Sequence, residues 1–170
     1  MVSFVVLMAT VLFVQSPAKA GTLYGPYQVL AQGASSVDGP FRCMNVPNGT
    51  LNPVTLIIYT CHNPARSNDQ FWAEDLGGGD WEIWNVGNGM CLTVLNALET
   101  DNAPVIQHAC TGEPNEVWHL TANYTIVNKK SKKCLTVKNE DSAPGTELLQ
   151  FRCNGKLNQE WSWATQWGDR

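Results

Sequence analysis

The sequence predicts an all-β protein in which one structural unit occurs three times. Short segments alternate aromatic and β-branched residues, which is the period-two pattern of half-buried strands, and turn-forming residues separate them. The six cysteines form two sets, and the members of each set recur every 43 to 49 residues. The first cysteine of each copy is Cys43, Cys91 or Cys134, and the second is Cys61, Cys110 or Cys153. We therefore expect repeats over about 27–75, 81–120 and 124–163.

Each copy contains equivalent segments in the same order. One strand precedes the first cysteine, in YQVLA (27–31), WEIWN (81–85) and YTIVN (124–128). Another leads into the second cysteine, in VTLIIYTC, APVIQHAC and GTELLQFRC. A tryptophan closes each copy, at Trp72, Trp118 and Trp161. Propellers need about four blades or more, whereas three copies around a pseudo-threefold axis predict a β-trefoil.

The repeat also predicts how the cysteines pair. Bridges within copies keep one geometry three times, as Cys43–Cys61, Cys91–Cys110 and Cys134–Cys153. Each bridge would close a loop of about 20 residues and stabilise the fold by around 3 kcal/mol. No spacing typical of a zinc site is present, so we expect no metal and no cofactor.

The first 20 residues are typical of a secretory signal peptide. The apolar run from Val2 to Val14 is too short to span a bilayer, Pro17 ends it, and 18–20 form a small-x-small cleavage pattern. No Lys or Arg precedes the run, so an uncleaved anchor or a mis-assigned start is the alternative. We expect a secreted domain, 21–170, with disulfides and with no membrane span after cleavage.

Charge and histidine patterns argue against two other classes of function. The chain has 11 basic and 15 acidic residues, and its densest basic segment, 128–134, is too short to follow a phosphate backbone. Nucleic acid is therefore not expected as a partner. His62, His108 and His119 follow no catalytic motif, so we expect no enzymatic activity.

The repeated motifs resemble the ricin B-type lectin domain. The copies read RCMNV…YTC…DQFW, MCLTV…HAC…NEVW and KCLTV…FRC…NQEW, similar to the Cys-Leu-x-Val and Gln-x-Trp motifs of that family over 27–163. The resemblance implies a core role for each closing tryptophan and for the residue two positions before it. These are Trp72, Trp118 and Trp161, with Gln70, Glu116 and Gln159. Glu116 departs from glutamine and is expected to need a partner.

The resemblance further implies one sugar site in each copy. Such a site combines a polar residue after Cys-Leu, an aromatic residue two positions before the second cysteine, and an amide three positions before the tryptophan. The corresponding residues are Asn45, Tyr59 and Asp69 in the first copy, Thr93, His108 and Asn115 in the second, and Thr136, Phe151 and Asn158 in the third.

Departures from the family pattern rank the three sites. Galactose-binding members usually have Asp at the first position, where this chain has none, and a threonine there is also ordinary strand packing. In the first copy Asn45 and Asp69 suggest an amide and a carboxylate in exchanged places beside Tyr59, although short polar residues also form turns. The third copy lacks the carboxylate unless Glu140 or Asp141 supplies it. We rank the first copy first and the second last.

Two functions of different classes are compatible with these residues. One is a secreted, non-catalytic carbohydrate-binding protein that binds galactose- or lactose-type glycans, or cell-surface glycoproteins, weakly at each of several sites. The other is a protein-interaction or cell-surface-targeting subunit that has lost sugar binding, such as a toxin binding subunit or an inhibitor, with a toxin or enzyme as its partner. A cluster of Trp84, Trp163 and Trp167 would favour the second function.

Overall fold

Thirteen strands account for most of the regular structure in residues 21–34 and 40–165, the part of the chain that the computed structural model describes. In chain order, β1 to β13 are Thr22–Ala31, Arg42–Asn45, Val54–Thr55, Ile57–Thr60, Phe71–Gly77, Asp80–Asn85, Cys91–Val94, Ala103–His108, Val117–Leu120, Ile126–Asn128, Cys134–Val137, Leu148–Phe151 and Trp161–Ala164. Single 3₁₀ turns occupy Gln32–Ala34, Pro47–Gly49, Leu95–Ala97, Lys138–Glu140 and Leu157–Gln159. Within the described ranges no helix has the length and apolarity needed to cross a membrane. The predicted signal peptide and Trp167 lie outside these ranges.

Six of the strands close a barrel. Antiparallel pairing runs from β13 through β1, β5, β6 and β9 to β10. A bridge between Thr125 and Glu160 joins the last of these strands back to the first. Closure leaves this ring without a free edge.

Three hairpins cap one end of the barrel. They are β2–β4, β7–β8 and β11–β12, and each follows a barrel strand through an equivalent pair of residues. These pairs are Leu30–Cys43, Trp84–Cys91 and Val127–Cys134. The same arrangement occurs three times around one axis, which confirms the predicted β-trefoil.

The alternating residues of the barrel strands bury one side chain per copy at the same point. Val29, Ile83 and Ile126 are almost fully buried and belong to one apolar cluster. The prediction is wrong for Tyr124, because β10 begins only at Ile126. Tyr124 has a positive φ of 60° and is exposed, and its N–H donates to the Thr121 carbonyl to form a turn.

All three predicted disulfides are present. Cys43–Cys61, Cys91–Cys110 and Cys134–Cys153 have Cα–Cα distances of 5.0, 5.1 and 5.1 Å. Each links the start of a cap strand to the chain just beyond the partner strand of the hairpin. The bridges therefore staple the three hairpins in the same way.

The closing residue of the first copy differs from the prediction. Trp118 and Trp161 are buried, and their Nε1 atoms donate to the carbonyls of Leu92 and Leu135. In the first copy the equivalent residue is Phe71, which is 1% exposed, and not Trp72, which is half-buried. The side chain of phenylalanine has no N–H group, so it needs no acceptor at this buried position.

A longer loop explains the misplaced register. Phe71 follows Cys61 by ten positions, whereas Trp118 follows Cys110 by eight (71 − 61 against 118 − 110). Aligning on tryptophan therefore shifts the first copy by one residue. Because side chains alternate along a strand, Trp72 then points away from the core and lies opposite Trp84 on β6.

Candidate functional site

The three sets of predicted site residues meet at three equivalent clefts, one beside each cap hairpin. The aromatic column pairs directly with the first cysteine of each copy, as Cys43–Tyr59, Cys91–His108 and Cys134–Phe151. The clefts have volumes of about 390, 290 and 220 Å³ in chain order. We refer to them as the first, second and third clefts.

Side chains of different character line each cleft. The first cleft is lined by Asn45, Asn48, Tyr59, His62, Arg66 and Asn68. The second is lined by Thr93, Asn96, His108, Glu113, Asn115 and Glu116. The third is lined by Thr136, Asn139, Glu140, Phe151, Lys156 and Asn158. Every predicted site residue except Asp69 thus lines a cleft.

Asp69 supports the first cleft from behind. Its side chain is 0% exposed. Its Oδ1 accepts from the Arg66 N–H at 2.8 Å, and its Oδ2 accepts from the His62 N–H at 3.1 Å and lies 2.7 Å from His62 Nδ1. The predicted role of Asp69 in an amide–carboxylate exchange is therefore wrong, since no oxygen faces the cleft.

The residues equivalent to Asp69 have the same structural task. Glu116 Oε2 accepts from the N–H groups of Thr111 and Gly112, which supplies the partner predicted for it. Gln159 Oε1 accepts from the Asn154 N–H at 2.8 Å. In all three copies a buried side-chain oxygen fixes the loop that follows the second cysteine.

Asn68 occupies the amide position of the first cleft. Its Nδ2 donates to the Val46 carbonyl at 3.2 Å, as the Nδ2 atoms of Asn115 and Asn158 donate to the equivalent carbonyls at 3.3 and 3.0 Å. Aligning NDQF with NEVW and NQEW, on the asparagine and not on the tryptophan, would have identified this residue from the sequence.

The two threonine hydroxyls are engaged within the protein. Both Thr93 and Thr136 are 4% exposed, and their Oγ1 atoms donate to the carbonyls of Cys91 and Cys134. Thr136 Oγ1 also accepts from Gln159 Nε2 at 3.0 Å. The bond from Gln159 ties β11 to the turn before β13, and both hydroxyls use their one donor within the protein.

Two buried polar atoms at the clefts have no partner. Asn45 is 3% exposed, its Oδ1 accepts from Asn68 Nδ2, and its Nδ2 is unpaired. Asn158 is 8% exposed and its Oδ1 is unpaired. Leaving such atoms without a hydrogen bond is costly, and both belong to side chains that line a cleft.

The aromatic residues differ in their availability. Tyr59 is 44% exposed and lies parallel to His62, with ring centroids 6.2 Å apart. Phe151 is half-buried beside the Arg152 guanidinium, which lies 5.2 Å from the ring centroid. His108 Nδ1 lies 3.1 Å from the Ala109 carbonyl. Tyr59 is the largest open aromatic face among the three.

One wall of each cleft is a turn that was not predicted from the sequence. Asn48, Asn96 and Asn139 have positive φ angles of 54, 51 and 56° and lie in the 3₁₀ turn after the first cap strand. Asparagine tolerates this left-handed conformation better than most residues. Each lies five positions after the first cysteine of its copy (48 − 43, 96 − 91, 139 − 134), and that shared spacing was a usable signal.

Two buried asparagines hold the loops behind the first and second clefts. Asn85 Nδ2 donates to the carbonyls of Ser67 and Gln70, on either side of Asn68. Asn128 Nδ2 donates to the carbonyls of Asn115 and Val117. These asparagines end the WEIWN and YTIVN segments, so the cleft loops depend on residues of the barrel.

The remaining acidic candidates are placed differently. Glu140 lines the third cleft and is ion-paired with Lys156, which also lines it. Asp141 Oδ1 accepts from the Ala143 N–H outside that cleft. Of the two residues considered as a replacement carboxylate for the third copy, Glu140 is therefore the one in reach of the cleft.

Comparisons with known folds agree with this description. A designed threefold-symmetric protein, ThreeFoil, is 27% identical with a TM-score of 0.74 over 81% of this chain and 96% of its own. The C-terminal half of the earthworm R-type lectin, solved in complex with GalNAc, is 12% identical with a TM-score of 0.64, over 82% and 98% of the two chains. An exo-β-1,3-galactanase from Clostridium thermocellum is 21% identical with a TM-score of 0.73, over 87% of this chain and 30% of the enzyme.

Sequence comparison gives the family. A search of curated proteins finds no match. The sequence pattern described as the ricin-type beta-trefoil lectin domain matches residues 36–161, which is most of the chain. Together with the trefoil topology and the three equivalent clefts, this match shows that the chain belongs to the ricin-type β-trefoil lectin family.

Proposed function

We propose that the protein is a secreted, non-catalytic lectin that binds galactose-type glycans, with the first cleft as its main site. The observation that carries this proposal is the exposed face of Tyr59 in a cleft that the amide side chains of Asn45 and Asn68 also line. An aromatic face packs against the apolar side of a pyranose, and a fixed donor recognises one of its hydroxyls.

The third cleft is proposed as a second, weaker site. Phe151 is a smaller exposed platform than Tyr59, and the unpaired Oδ1 of Asn158 is an acceptor where the first cleft offers a donor. The second cleft has neither an unpaired buried polar atom nor a fully carbocyclic ring, so we rank it last. Two weak sites on one molecule bind multivalent glycans more tightly than either site alone.

The choice of galactose-type ligands draws on the relatives. The earthworm lectin is described in complex with GalNAc, and the clostridial enzyme as a β-1,3-galactanase. The structures share the fold with this chain, and the ligand class is carried over as part of the proposal. Cell-surface glycoproteins bearing such glycans are the proposed partners.

A glycan array with paired variants tests the proposal. Oxidised protein 21–170 should bind galactose-type glycans, and Tyr59→Ala should lose at least about 5-fold in affinity, since an aromatic contact contributes on the order of 1 kcal/mol or more. Phe151→Ala is the matched control and should mainly weaken binding to multivalent surfaces. Unchanged binding by Tyr59→Ala would remove the first cleft from the proposal.

The protein-interaction function is the second candidate. It is favoured by the internal hydrogen bonds of Thr93 and Thr136, which occupy positions that contact sugar in the family. The predicted tryptophan cluster gives it less support, because Trp163 packs against the core and against Tyr27 at 5.9 Å, whereas Trp84 pairs with Trp72 on another strand. A folded protein that binds no glycan on the array but retains a toxin or enzyme subunit in a pull-down would favour this function.

A further inference from the structure

We propose that the first cleft selects acidic saccharides, which carry a carboxylate or a sulfate, and that Arg66 is the residue that determines this selectivity. The inference rests on the proposed function, because it names the ligand class of the same cleft. It follows from the charges that face the cleft and from the hydrogen-bonding capacity left unused there.

One permanently charged cation, Arg66, lines the first cleft, and no acidic residue does. Arg66 and His62 are part of its wall, and none of its lining residues is acidic. The nearby carboxylate of Asp69 is fully buried and engaged with the His62 side chain and two backbone N–H groups. The other clefts differ, since Glu113 and Glu116 line the second, and Glu140 pairs with Lys156 in the third. Among the described residues that line the three clefts, Arg66 is the permanently charged cation without an ion pair, since Lys156 is paired with Glu140.

The Arg66 guanidinium is available for a ligand. It is exposed and has no ion pair with any residue in 21–34 or 40–165. The side chains of the other two described arginines are already hydrogen-bonded, since Arg42 Nε donates to the backbone carbonyl of Ser142 and Arg152 Nε donates to Asp101 Oδ2. A guanidinium fork matches the geometry of a carboxylate or a sulfate and binds either with two parallel hydrogen bonds.

The buried polar atom of this cleft is also a donor. The Val46 carbonyl accepts from Asn68, which fixes the orientation of the Asn68 amide, and the same Nδ2 donates to Asn45 Oδ1. This bond in turn directs Asn45 Nδ2 away from Asn68 and leaves it unpaired. An anionic saccharide offers more acceptor atoms than a neutral one, so it complements a cleft whose exposed charged group, the Arg66 guanidinium, is a donor.

The side chain of Arg66 can be changed without disturbing the fold. Its links to the protein are the backbone N–H that donates to Asp69 Oδ1 and the carbonyl that accepts from the Asp69 N–H, and any residue at this position except proline retains both bonds. Arg66→Gln removes the charge and retains a polar side chain, and Arg66→Lys retains the charge without the planar fork. Lys130→Gln removes one exposed positive charge from the loop between β10 and β11, and it is the matched control for net charge.

Calorimetric titration with matched ligands tests the inference. The probes are methyl β-galactoside, the corresponding galacturonide and galactose 6-sulfate, each at about 50 and 500 mM salt. We expect at least one acidic ligand to bind about 10-fold or more tightly than the neutral one at low salt, and this preference should weaken at high salt. Arg66→Gln should reduce the preference to less than about twofold, Arg66→Lys should retain part of it, and Lys130→Gln should leave it unchanged.

The possible outcomes separate this inference from the proposed function. Preference for the galacturonide, the sulfate ester or both supports the inference and identifies the anionic group. Equal binding of neutral and acidic ligands by the unmodified protein overturns the inference and leaves the lectin function intact. A preference that survives in Arg66→Gln also overturns it. If no saccharide binds to the folded protein, both proposals fail.

Discussion

The carboxylate of Asp69 and the amide of Gln159 occupy the same place in two copies of the repeat, yet their hydrogen bonds differ. Gln159 Oε1 accepts one backbone N–H and its Nε2 donates to Thr136 and to the Arg152 carbonyl. Asp69 has no donor, and its two oxygens instead receive bonds from two backbone N–H groups and the His62 ring. In the third copy Gln159 donates to the hydroxyl of Thr136. Asp69 has no hydrogen to donate, so the equivalent position of the first copy, Asn45, does not need a hydroxyl.

We predict that Asp69→Ala is strongly destabilising. The change leaves the backbone N–H groups of His62 and Arg66 and the His62 ring without their buried acceptor, which should lower the free energy of unfolding by about 2–4 kcal/mol. Urea denaturation followed by tryptophan fluorescence measures the effect. Glu113→Ala, which removes an exposed carboxylate without a side-chain hydrogen bond, should change it by less than about 0.5 kcal/mol. Equal midpoints for the two variants would contradict the structural role of Asp69.

At the scale of elements, the β5–β6 hairpin carries an unfavourable pair of like charges. Glu74 and Glu82 lie directly opposite each other in its register, between the Trp72–Trp84 pair and the turn. Burial raises the pKa of the Glu82 carboxyl, and the nearby charges of Glu116 and Glu74 raise it further. Like charges at opposed positions destabilise a sheet. The pair therefore costs stability wherever both groups are ionised.

The stability difference between Glu82→Gln and the unmodified protein should depend on pH. Because the pKa of Glu82 in the fold lies above its usual 4.5, the folded state holds its proton longer than the unfolded state does. Stability of the unmodified protein is thus lost as pH rises from about 4.5 through the raised pKa, and the variant lacks this loss. We expect Glu82→Gln to have the higher Tm at pH 7 and a similar Tm at pH 4, measured by calorimetry.

A control variant and a contrary outcome complete that experiment. Glu113→Gln removes an exposed carboxylate on another loop and should give the same small difference at both pH values. A lower Tm for Glu82→Gln at pH 7 would mean that the carboxylate forms a stabilising interaction, contrary to the prediction.

At the scale of the whole molecule, the threefold arrangement is built from one large ring per copy. Phe71, Trp118 and Trp161 belong to a single apolar cluster with residues from the barrel and the cap hairpins. The ring of the first copy is a phenylalanine, and the tryptophan next to it faces the other side of the sheet. The symmetry is therefore that of buried positions and not of residue types.

Truncation at neighbouring positions of β5 distinguishes the two assignments. Phe71→Ala should lower the free energy of unfolding by about 3–5 kcal/mol, because it opens a cavity where all three copies meet. Trp72→Ala removes a larger but half-buried side chain and should cost about 1–2 kcal/mol. Chemical denaturation of the oxidised protein gives both values. A larger loss for Trp72→Ala would restore tryptophan as the closing residue of the first copy.

The repeat, the β-trefoil, the disulfide pairing and the positions of the aromatic residues Tyr59, His108 and Phe151 at the clefts were all predictable from the sequence. These features depend on local alternation and on the spacing of cysteines, which is readable along one chain. Tertiary structure decided the register of the first copy, because a loop two residues longer hides a one-residue shift that only strand pairing reveals.

Tertiary structure also decided which polar groups at the clefts are without a hydrogen bond. Asn45, Thr93 and Thr136 occupy one column of the sequence, but only the structure shows that both threonine hydroxyls donate to a carbonyl two residues earlier and that Asn45 Nδ2 is unpaired. The charge of each cleft was likewise decided in three dimensions, since Arg66, Asp69 and His62 lie close together in sequence while only burial places the carboxylate behind the cleft and the guanidinium in its wall.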